Sequence, residues 1–499
     1  MSINPAQQQA IDYDGGHLLI IAGPGTGKTH TLTHRVIRLA QNLDKDRKVL
    51  AITFTKKASQ EMRGRLERNN PDIKDKVFVG TFHGFCQDIL RAHGGQGVFS
   101  LVSEEEIEDV AKTLWPDKKG KERRGLLNEI SAYKSVHFRE DEPDYVKVFN
   151  QELRKRNAYD FDDLLLNAWR LAQSRHSVLE DLQDLYPVIC VDEYQDINTI
   201  QHVLLQQWVG SSGTITAIGD PNQAIYGFRG SDLKFFDSFK EDFPATAVLS
   251  LSDNYRCARN ILSASSQVMA KTANDYLPKL TARIYTQGQL VVYEAATENA
   301  EAEYVVREVE KMVGGTSMFS HDSARVSSGQ AGEVSFGDIA VLYRLNSQAH
   351  ALKKAFDRSG IPFCLSQSLK DDEGDDVCPR RGKEVVFEAE KVSLMSLHAA
   401  KGLEFVVVFM VGCEENILPL NLQGLEADGE EERRLFYVGI TRAKDKVFLT
   451  HAKRRILYGR VMNNRISPFV LDIEEKLKEY DKAVLKLRKQ KQEEQMSFF

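Results

Sequence analysis

Cysteine is scarce and dispersed in this chain: Cys86, Cys190, Cys257, Cys364, Cys378 and Cys413 form no Cys-x-x-Cys pair and no Cys/His cluster. That excludes a zinc-ribbon site and a disulfide framework, and it predicts reduced thiols. Long apolar runs are also missing. The longest, Phe405 to Cys413, falls well short of the ~18 residues of a membrane span. The opening Ser2-Ile3-Asn4-Pro5-Ala6-Gln7 has no signal-peptide character, so a cytoplasmic location is expected. Positive charge is not in surplus either, with 66 Lys and Arg against 72 Asp and Glu and a formal net charge of −6. A domain built only to coat nucleic acid would be basic, so any nucleic acid must be held in a local groove. What remains is a globular composition, 42% hydrophobic and 28% charged, in a chain too long for one core.

The stretch around which the chain is organised is Ala22-Gly23-Pro24-Gly25-Thr26-Gly27-Lys28-Thr29. It follows the apolar run Leu18 to Ile21 and precedes Leu32, Val36 and Leu39 at helical spacing, the strand, turn and helix of a phosphate-binding loop. Backbone N–H groups and the positive helix end can wrap a triphosphate, Lys28 neutralise its β/γ oxygens, and Thr29 hold Mg²⁺. A glycine-rich turn without a ligand is the alternative, and Ala22 stands where such loops have their first glycine. A buried-strand pattern at Val188 to Val191 runs into Asp192-Glu193-Tyr194-Gln195-Asp196. Beside a phosphate loop, Asp192 can hold Mg²⁺ through water while Glu193 positions and deprotonates the attacking water.

Other strands end on polar and aromatic groups. Val49 to Ile52 leads to Thr53-Phe54-Thr55, and Val77 to Val79 leads to Thr81-Phe82-His83. These suit phosphate and base contacts, or ordinary capping of the following helices. Ile215 to Ile218 leads to the stretch Gly219 to Gly230, in which Gln223 is placed to sense a γ-phosphate and Tyr226, Phe228 and Arg229 offer stacking surfaces beside a cation. Between Gln87 and Tyr186 the pattern is helical, predicting an inserted helical subdomain. Its acidic run Tyr159 to Leu166 reads as a solvated face and helix-start charge.

With Leu251-Ser252-Asp253-Asn254-Tyr255-Arg256, Leu397 to Phe405 and Glu431 to Ala443 following in order, the chain resembles the superfamily 1 DNA helicases of the UvrD, Rep and PcrA type from Asn4 to about Arg465. The resemblance implies an α/β fold with two RecA-like P-loop cores, parallel sheets flanked by helices, and a C-terminal helical tail. The expected layout is core 1A at 1–86 and 187–252, helical subdomain 1B at 87–186, core 2A at 253–365 and 385–470, and a tail from 471. It further implies ATP and Mg²⁺ as cofactors, single-stranded DNA and its duplex junctions as partners, 3′-to-5′ stepping, and service in repair or replication. Gln7, otherwise a polar helix start, becomes an adenine reader, with Arg35 near the base, Tyr255 stacked on it and Glu404 at the ribose. Arg256 and Arg442 are implied to reach the γ-phosphate. Thr53, Phe54, Thr81, His83, Tyr226, Phe228 and Arg229 are implied DNA contacts on the first core, and Asn346, His398 and Tyr458 on the second. Phe228 stands where the family commonly has Trp and Tyr458 where it has Phe; both keep a π-face.

One departure is larger. The family inserts a subdomain, 2B, after the segment matched by Ile339 to Phe363, but here Pro362 and Glu384 are only 22 positions apart, and Lys370-Asp371-Asp372-Glu373-Gly374-Asp375-Asp376 fills much of the gap. An independent domain needs at least ~50 residues, so an acidic loop at 366–384 is expected in place of 2B. A Ser- and Gly-rich loop is expected from Gly314 to Gly332. Ile473, Leu477, Tyr480, Val484 and Leu487 predict a helical stripe. The closing Gln495-Met496-Ser497-Phe498-Phe499 resembles the bacterial sliding-clamp-binding motif, with Met496 and Phe498 in place of leucines. The rival readings are an ATP-gated DNA-binding protein that displaces other proteins without strand separation, and a P-loop enzyme acting on small molecules.

Overall fold

The computed structural model describes residues 3–94, 99–272, 276, 279–284, 286–314, 334–365, 390–422 and 424–481. They form two compact units, 1–252 and 253–499. The expected loops at 366–384 and beyond 314, and the clamp-like tail, lie outside the described residues. Among the described residues no helix is long and apolar enough to cross a membrane. Cys86, Cys190, Cys257 and Cys413 are free and buried; Cys364 departs from the expectation of reduced thiols, its sulfur being in a disulfide.

Unit 1 begins with helix α1 (Pro5–Asp12), strand β1 (Leu18–Ala22) and helix α2 (Lys28–Asn42). Strand β2 (Val49–Thr53), helix α3 (Lys56–Asn69), strand β3 (Val77–Thr81) and helix α4 (Phe82–His93) follow. Two-residue strands β4 (Ser100–Leu101) and β5 (Ala158–Tyr159) pair with each other. Strands β6 (Val188–Val191), β7 (Thr214–Gly219) and β8 (Ala247–Leu251) complete a parallel sheet ordered β3-β2-β6-β7-β1-β8. Its central strands are mainly apolar because both faces are covered by helices, and β2 is buried at every position. Polar chemistry is thereby driven to the C-terminal ends of the strands, where the chain first meets solvent.

The inserted segment is helical as expected: α5 (Glu104–Leu114), α6 (Gly120–Ala132), α7 (Asp144–Lys155), α8 (Phe161–Ser174) and α9 (His176–Leu185) precede β6. Val110, Ile130, Val146, Phe149 and Leu153 form its core. A π-helical turn, Tyr133–His137, closes α6 and buries Lys134. The Lys134 ammonium lies 2.7 Å from both Asp160 and Asp163, which also form the capping box of α8. The expected solvated acidic face is corrected here: two of its carboxylates are buried and neutralised by Lys134, and only their capping role holds.

Unit 2 carries parallel strands in the order Phe363–Leu365, Val392–Ser396, Ile339–Tyr343, Phe405–Met410, Ala443–Leu457, Gln289–Thr297 and Glu479–Tyr480. Arg460–Met462 returns antiparallel on the long Ala443–Leu457 strand. A buried Arg455 binds Glu301 and, at 2.6 Å, Glu414. The expected C-terminal helical stripe is not found where it is described. Residues 475–477 make one 3₁₀ turn, and Glu479–Tyr480 joins the sheet edge. The Lys478 ammonium donates to the Val470 carbonyl at 3.2 Å and lies 2.7 Å from Glu475.

Burial, followed by the negative charge of Asp160, pushes Asp163 up to about 6. Lys134→Met would leave these carboxylates unpaired, an expected loss of about 3–5 kcal/mol. A carboxyl raised in the folded state stabilises it at low pH and loses that contribution as pH rises through its folded pKa. Urea unfolding should therefore show a larger difference between wild type and variant at pH 8 than at pH 5.

Candidate functional site

Between β1 and α2 the loop turns through two left-handed glycines, Gly25 (φ 65°) and Gly27 (φ 83°). Gly27 caps α2 without any side-chain hydrogen bond, leaving the first N–H groups of a 15-residue helix for an anion. A Cβ on Gly27 would lie 2.7 Å from the Gln7 amide nitrogen, so the loop and α1 are fitted to each other. Lys28 folds back, donating to the carbonyls of Ala22 (3.2 Å) and Gly23 (3.3 Å). The Thr26 hydroxyl also donates to Gly23, at 2.8 Å. These carbonyl oxygens occupy the donors that phosphate oxygens would take.

Gln7 is buried at the loop. Its amide nitrogen donates to the Thr26 carbonyl at 2.9 Å, and its amide oxygen accepts from Asn4 N at 3.0 Å, half of the α1 capping box. Arg35 is 2% exposed. It donates to the carbonyls of Ala10 (2.9 Å) and Tyr13 (2.8 Å) and to the Thr216 hydroxyl (2.8 Å). A buried guanidinium thus satisfies the orphan carbonyls at the end of α1, which has no basic residue of its own there. Its placement makes Arg35 a clamp on the helix that carries Gln7.

Asp192 and Glu193 stand at the end of β6. The Thr29 hydroxyl reaches Asp192 at 3.4 Å. Burial first, then the neighbouring Glu193 charge, pushes Asp192 up to about 7. A carboxyl so disfavoured as an anion, beside a hydroxyl, suits a hard divalent cation completed by phosphate oxygens and water. No cluster of three or more His, Cys, Asp or Glu exists among the described residues to offer a rival metal site. Glu193 adopts a left-handed backbone (φ 52°), a strained conformation for a residue with a side chain. Gln195 Nε2 donates to Glu193 at 2.5 Å, and Gln195 Oε1 accepts from Asp220 N at 3.0 Å. Gln223 Nε2 in turn donates to Asp220 at 2.6 Å. Gln195 and Asp220 were not singled out by the sequence reading, because the contacts that reveal them cross from β6 to β7.

Tyr226, Phe228 and Arg229 follow β7. The Phe54 and Tyr226 rings stack at 5.1 Å, Tyr226 and Phe228 lie 6.1 Å apart, and the Arg229 guanidinium is 5.6 Å from both. Phe228 is 66% exposed, unlike a core aromatic. Thr81 caps α4, accepting from Gly84 N at 3.1 Å. The buried Thr53 donates to the Thr55 carbonyl at 3.1 Å. His83 lies edge-on to the half-exposed Phe161 at 5.8 Å. Burial pulls His83 down to about 4, so at neutral pH it offers an uncharged ring. Phe161, hidden in the sequence inside an acidic run, sets an exposed ring beside His83.

Unit 2 brings together Arg256, Glu404 and Lys444. Arg256 Nε lies 2.9 Å and Lys444 2.8 Å from the Glu404 carboxylate. Although burial pushes Glu404 upward, these two cations hold it below its usual value. Arg442 is 2% exposed, donating to the carbonyls of Val438 (3.0 Å) and Leu403 (3.3 Å), so its guanidinium is turned into its own backbone. Tyr255 is half-buried beside Asn254, whose side chain accepts from Arg256 N at 3.0 Å. Asn346 is exposed and His398 half-buried at strand ends. Tyr458 is 64% exposed at a hairpin tip. Two residues before Asn346, Arg344 makes a forked contact with the buried Glu432, at 2.8 and 3.0 Å. This tie from the Asn346 loop to the helix Gly429–Ile440 also escaped the sequence reading.

The UvrD/REP helicase N-terminal domain matches residues 3–244, and the UvrD-like helicase C-terminal domain matches residues 249–370 and 380–454. Proteins named ATP-dependent DNA helicase PcrA are similar over nearly the whole chain. That of Staphylococcus aureus (strain MRSA252) is 28% identical over 96% of this chain and 87% of its own. That of Staphylococcus epidermidis (strain ATCC 12228) is 27% identical over 95% of this chain and 87% of its own. The first alignment runs over 652 positions against a chain of 499 residues, so at least 153 of its positions face a gap here.

Arg35→Ala should leave buried carbonyls unpaired and cost about 2–3 kcal/mol, read by urea unfolding. Its KM for ATP should rise more than its kcat falls, because α1 carries Gln7. Unchanged stability would contradict the clamp.

Proposed function

The chain belongs to the UvrD/Rep helicase family, and from that premise we propose an ATP-dependent DNA helicase that steps 3′ to 5′ along single-stranded DNA in the cytoplasm, serving repair or replication. The observation that carries this reading is the run from Gln223 to Arg229. Within its seven residues it joins a group tied to the Glu193 network to an exposed aromatic and cationic cluster. An enzyme of small molecules has no use for Phe228 at 66% exposure beside Arg229.

Bound ATP with Mg²⁺ supplies the phosphoanhydride whose cleavage drives each step. Lys28 and the backbone N–H groups of Gly23 and of Gly25 to Thr29 would hold its phosphates, and Thr29 and Asp192 the cation. Glu193 is the base that takes the proton of the attacking water, and Gln223 orients the terminal phosphate. Gln7, held by Arg35, reads adenine; Tyr255 stacks on it and Glu404 meets the ribose. Arg256 and Arg442 stabilise the charge that develops on the transferred phosphoryl. Thr53, Phe54, Thr81, His83, Tyr226, Phe228, Arg229, Asn346, His398 and Tyr458 contact single-stranded DNA, the aromatics through base stacking. The family insertion 2B is absent, in keeping with Pro362 and Glu384 being only 22 positions apart and with the gapped alignment. Translocation should therefore outlast unwinding. The tail Gln495, Met496, Phe498 and Phe499 is proposed to dock on a sliding clamp.

Glu193→Gln should bind ATP and lose roughly 10²–10⁴ in turnover, whereas Lys28→Ala should lose productive binding. Arg442→Ala should lose on the order of 10³–10⁵, and a normal rate would remove it from the site. Phe228→Ala should weaken single-strand binding by about 1–3 kcal/mol with DNA-free hydrolysis intact; retained stimulation would make Phe228 a packing residue. Strand displacement by the purified chain should stay short-range where a translocation assay reads long runs, and processive unwinding would contradict the loss of 2B. Clamp pull-down by wild type but not by Phe498→Ala/Phe499→Ala is expected, and equal capture would remove that contact.

A further inference from the structure

Gln195 is 1% exposed, and both ends of its amide are committed. Nε2 donates to the Glu193 carboxylate at 2.5 Å, and Oε1 accepts from Asp220 N at 3.0 Å. The orientation is forced, because an ionised carboxylate can only accept and a backbone N–H can only donate. The space is reserved as well. A Cβ on Gly219 would come within 2.4 Å of Gln195 Oε1, so only glycine at the end of β7 admits the bridge. β6 and β7 are paired neighbours, Val191 opposite Ala217, and Gln195 spans their C-terminal ends just where the two chains diverge.

Beyond the bridge the chain is stiff. The Asp220 side chain accepts from Gln223 Nε2 at 2.6 Å and from Asn222 N at 3.1 Å. Ala224 and Ile225 are buried, and Tyr226 stacks on Phe54. The exposed Phe228 stands at the far end of this tract. A base that stacks on it and shifts the tract would pull on the junction between Asp220 N and Gln195 Oε1. Meanwhile the oxygen of Glu193 that Gln195 holds is engaged by the amide and must leave it before it can turn to a water.

Resting on the assignment of Glu193 as the base and Phe228 as a DNA contact, we propose that Gln195 is a positioning residue that restrains Glu193 until single-stranded DNA occupies the Tyr226–Phe228–Arg229 cluster. DNA stimulation is then the release of a hydrogen bond across the ends of β6 and β7. The restraint slows hydrolysis when no strand is bound, so ATP is spent on stepping.

Steady-state ATP hydrolysis by the full chain, with and without a saturating deoxythymidine oligonucleotide, tests this with Gln195→Met, which keeps length and loses both bonds. The DNA-free kcat should rise roughly ten-fold, one charge-assisted hydrogen bond's equivalent. The DNA-saturated kcat should change little, so the stimulation ratio falls, and oligonucleotide affinity should hold. Gly219→Ala, whose Cβ would press first on Gln195 Oε1 and less closely on Phe236 and the Tyr194 backbone, should reproduce the raised DNA-free rate. Equal falls in both rates, as from a merely structural Gln195, or an unchanged ratio in both variants, would overturn the restraint. A wild-type chain without DNA stimulation would overturn the motor reading and the restraint with it, whereas failure confined to the variants overturns the restraint alone.

Discussion

Lys28 is the cation whose field lowers both Asp192 and Asp220, two carboxyl groups that burial at the ends of β6 and β7 pushes up. That charge balance follows from the sheet. Strands covered on both faces carry few polar side chains along their length, Thr216 being matched by Arg35, so β1, β6 and β7 deliver one cation and two acids to a single edge. Lys28 also donates to the carbonyls of its own loop. A triphosphate with its cation would relieve both conditions together, which is why the loop, the acids and the Gln195 bridge behave as one site.

Unit 2 keeps its arginines in a comparable state of self-satisfaction. Arg442 is spent on the backbone carbonyls around the end of the helix Gly429–Ile440, Arg256 on Glu404, and Arg344 on Glu432. A buried guanidinium must find acceptors, and carbonyls near helix ends are the nearest supply. Any role for Arg442 at a phosphate requires exchanging those acceptors for phosphate oxygens. The exchange is close to isoenergetic in hydrogen-bond count and favoured by charge.

Much of this was legible in the residue order. The phosphate loop, the apolar strands that end in Asp192, Thr53 and Thr81, and the helical insertion all follow from local pattern. What was not legible depends on pairings between distant positions. Arg35 resembles any helix cation until its partners at Ala10, Tyr13 and Thr216 are brought beside it. Asp160 and Asp163 resemble a solvated run until the π turn delivers Lys134. Gln195 passes as a linker residue until β7 is laid next to β6. The stripe Ile473, Leu477 and Tyr480 has helical spacing, yet an open sheet edge at Gln289–Thr297 captures Glu479–Tyr480 as a strand. Periodicity reports which side chains seek burial and leaves open which backbone partner wins.

The central claim is that phosphate chemistry in unit 1 answers to a strand of DNA. The direct measurement is the rate of MgATP hydrolysis by the unmodified chain, titrated with single-stranded deoxythymidine oligonucleotides of increasing length. The account predicts a saturable rise of at least roughly ten-fold, the equivalent of one charge-assisted hydrogen bond, that needs enough nucleotides to span the aromatic contacts. A rate indifferent to DNA at every length would contradict it.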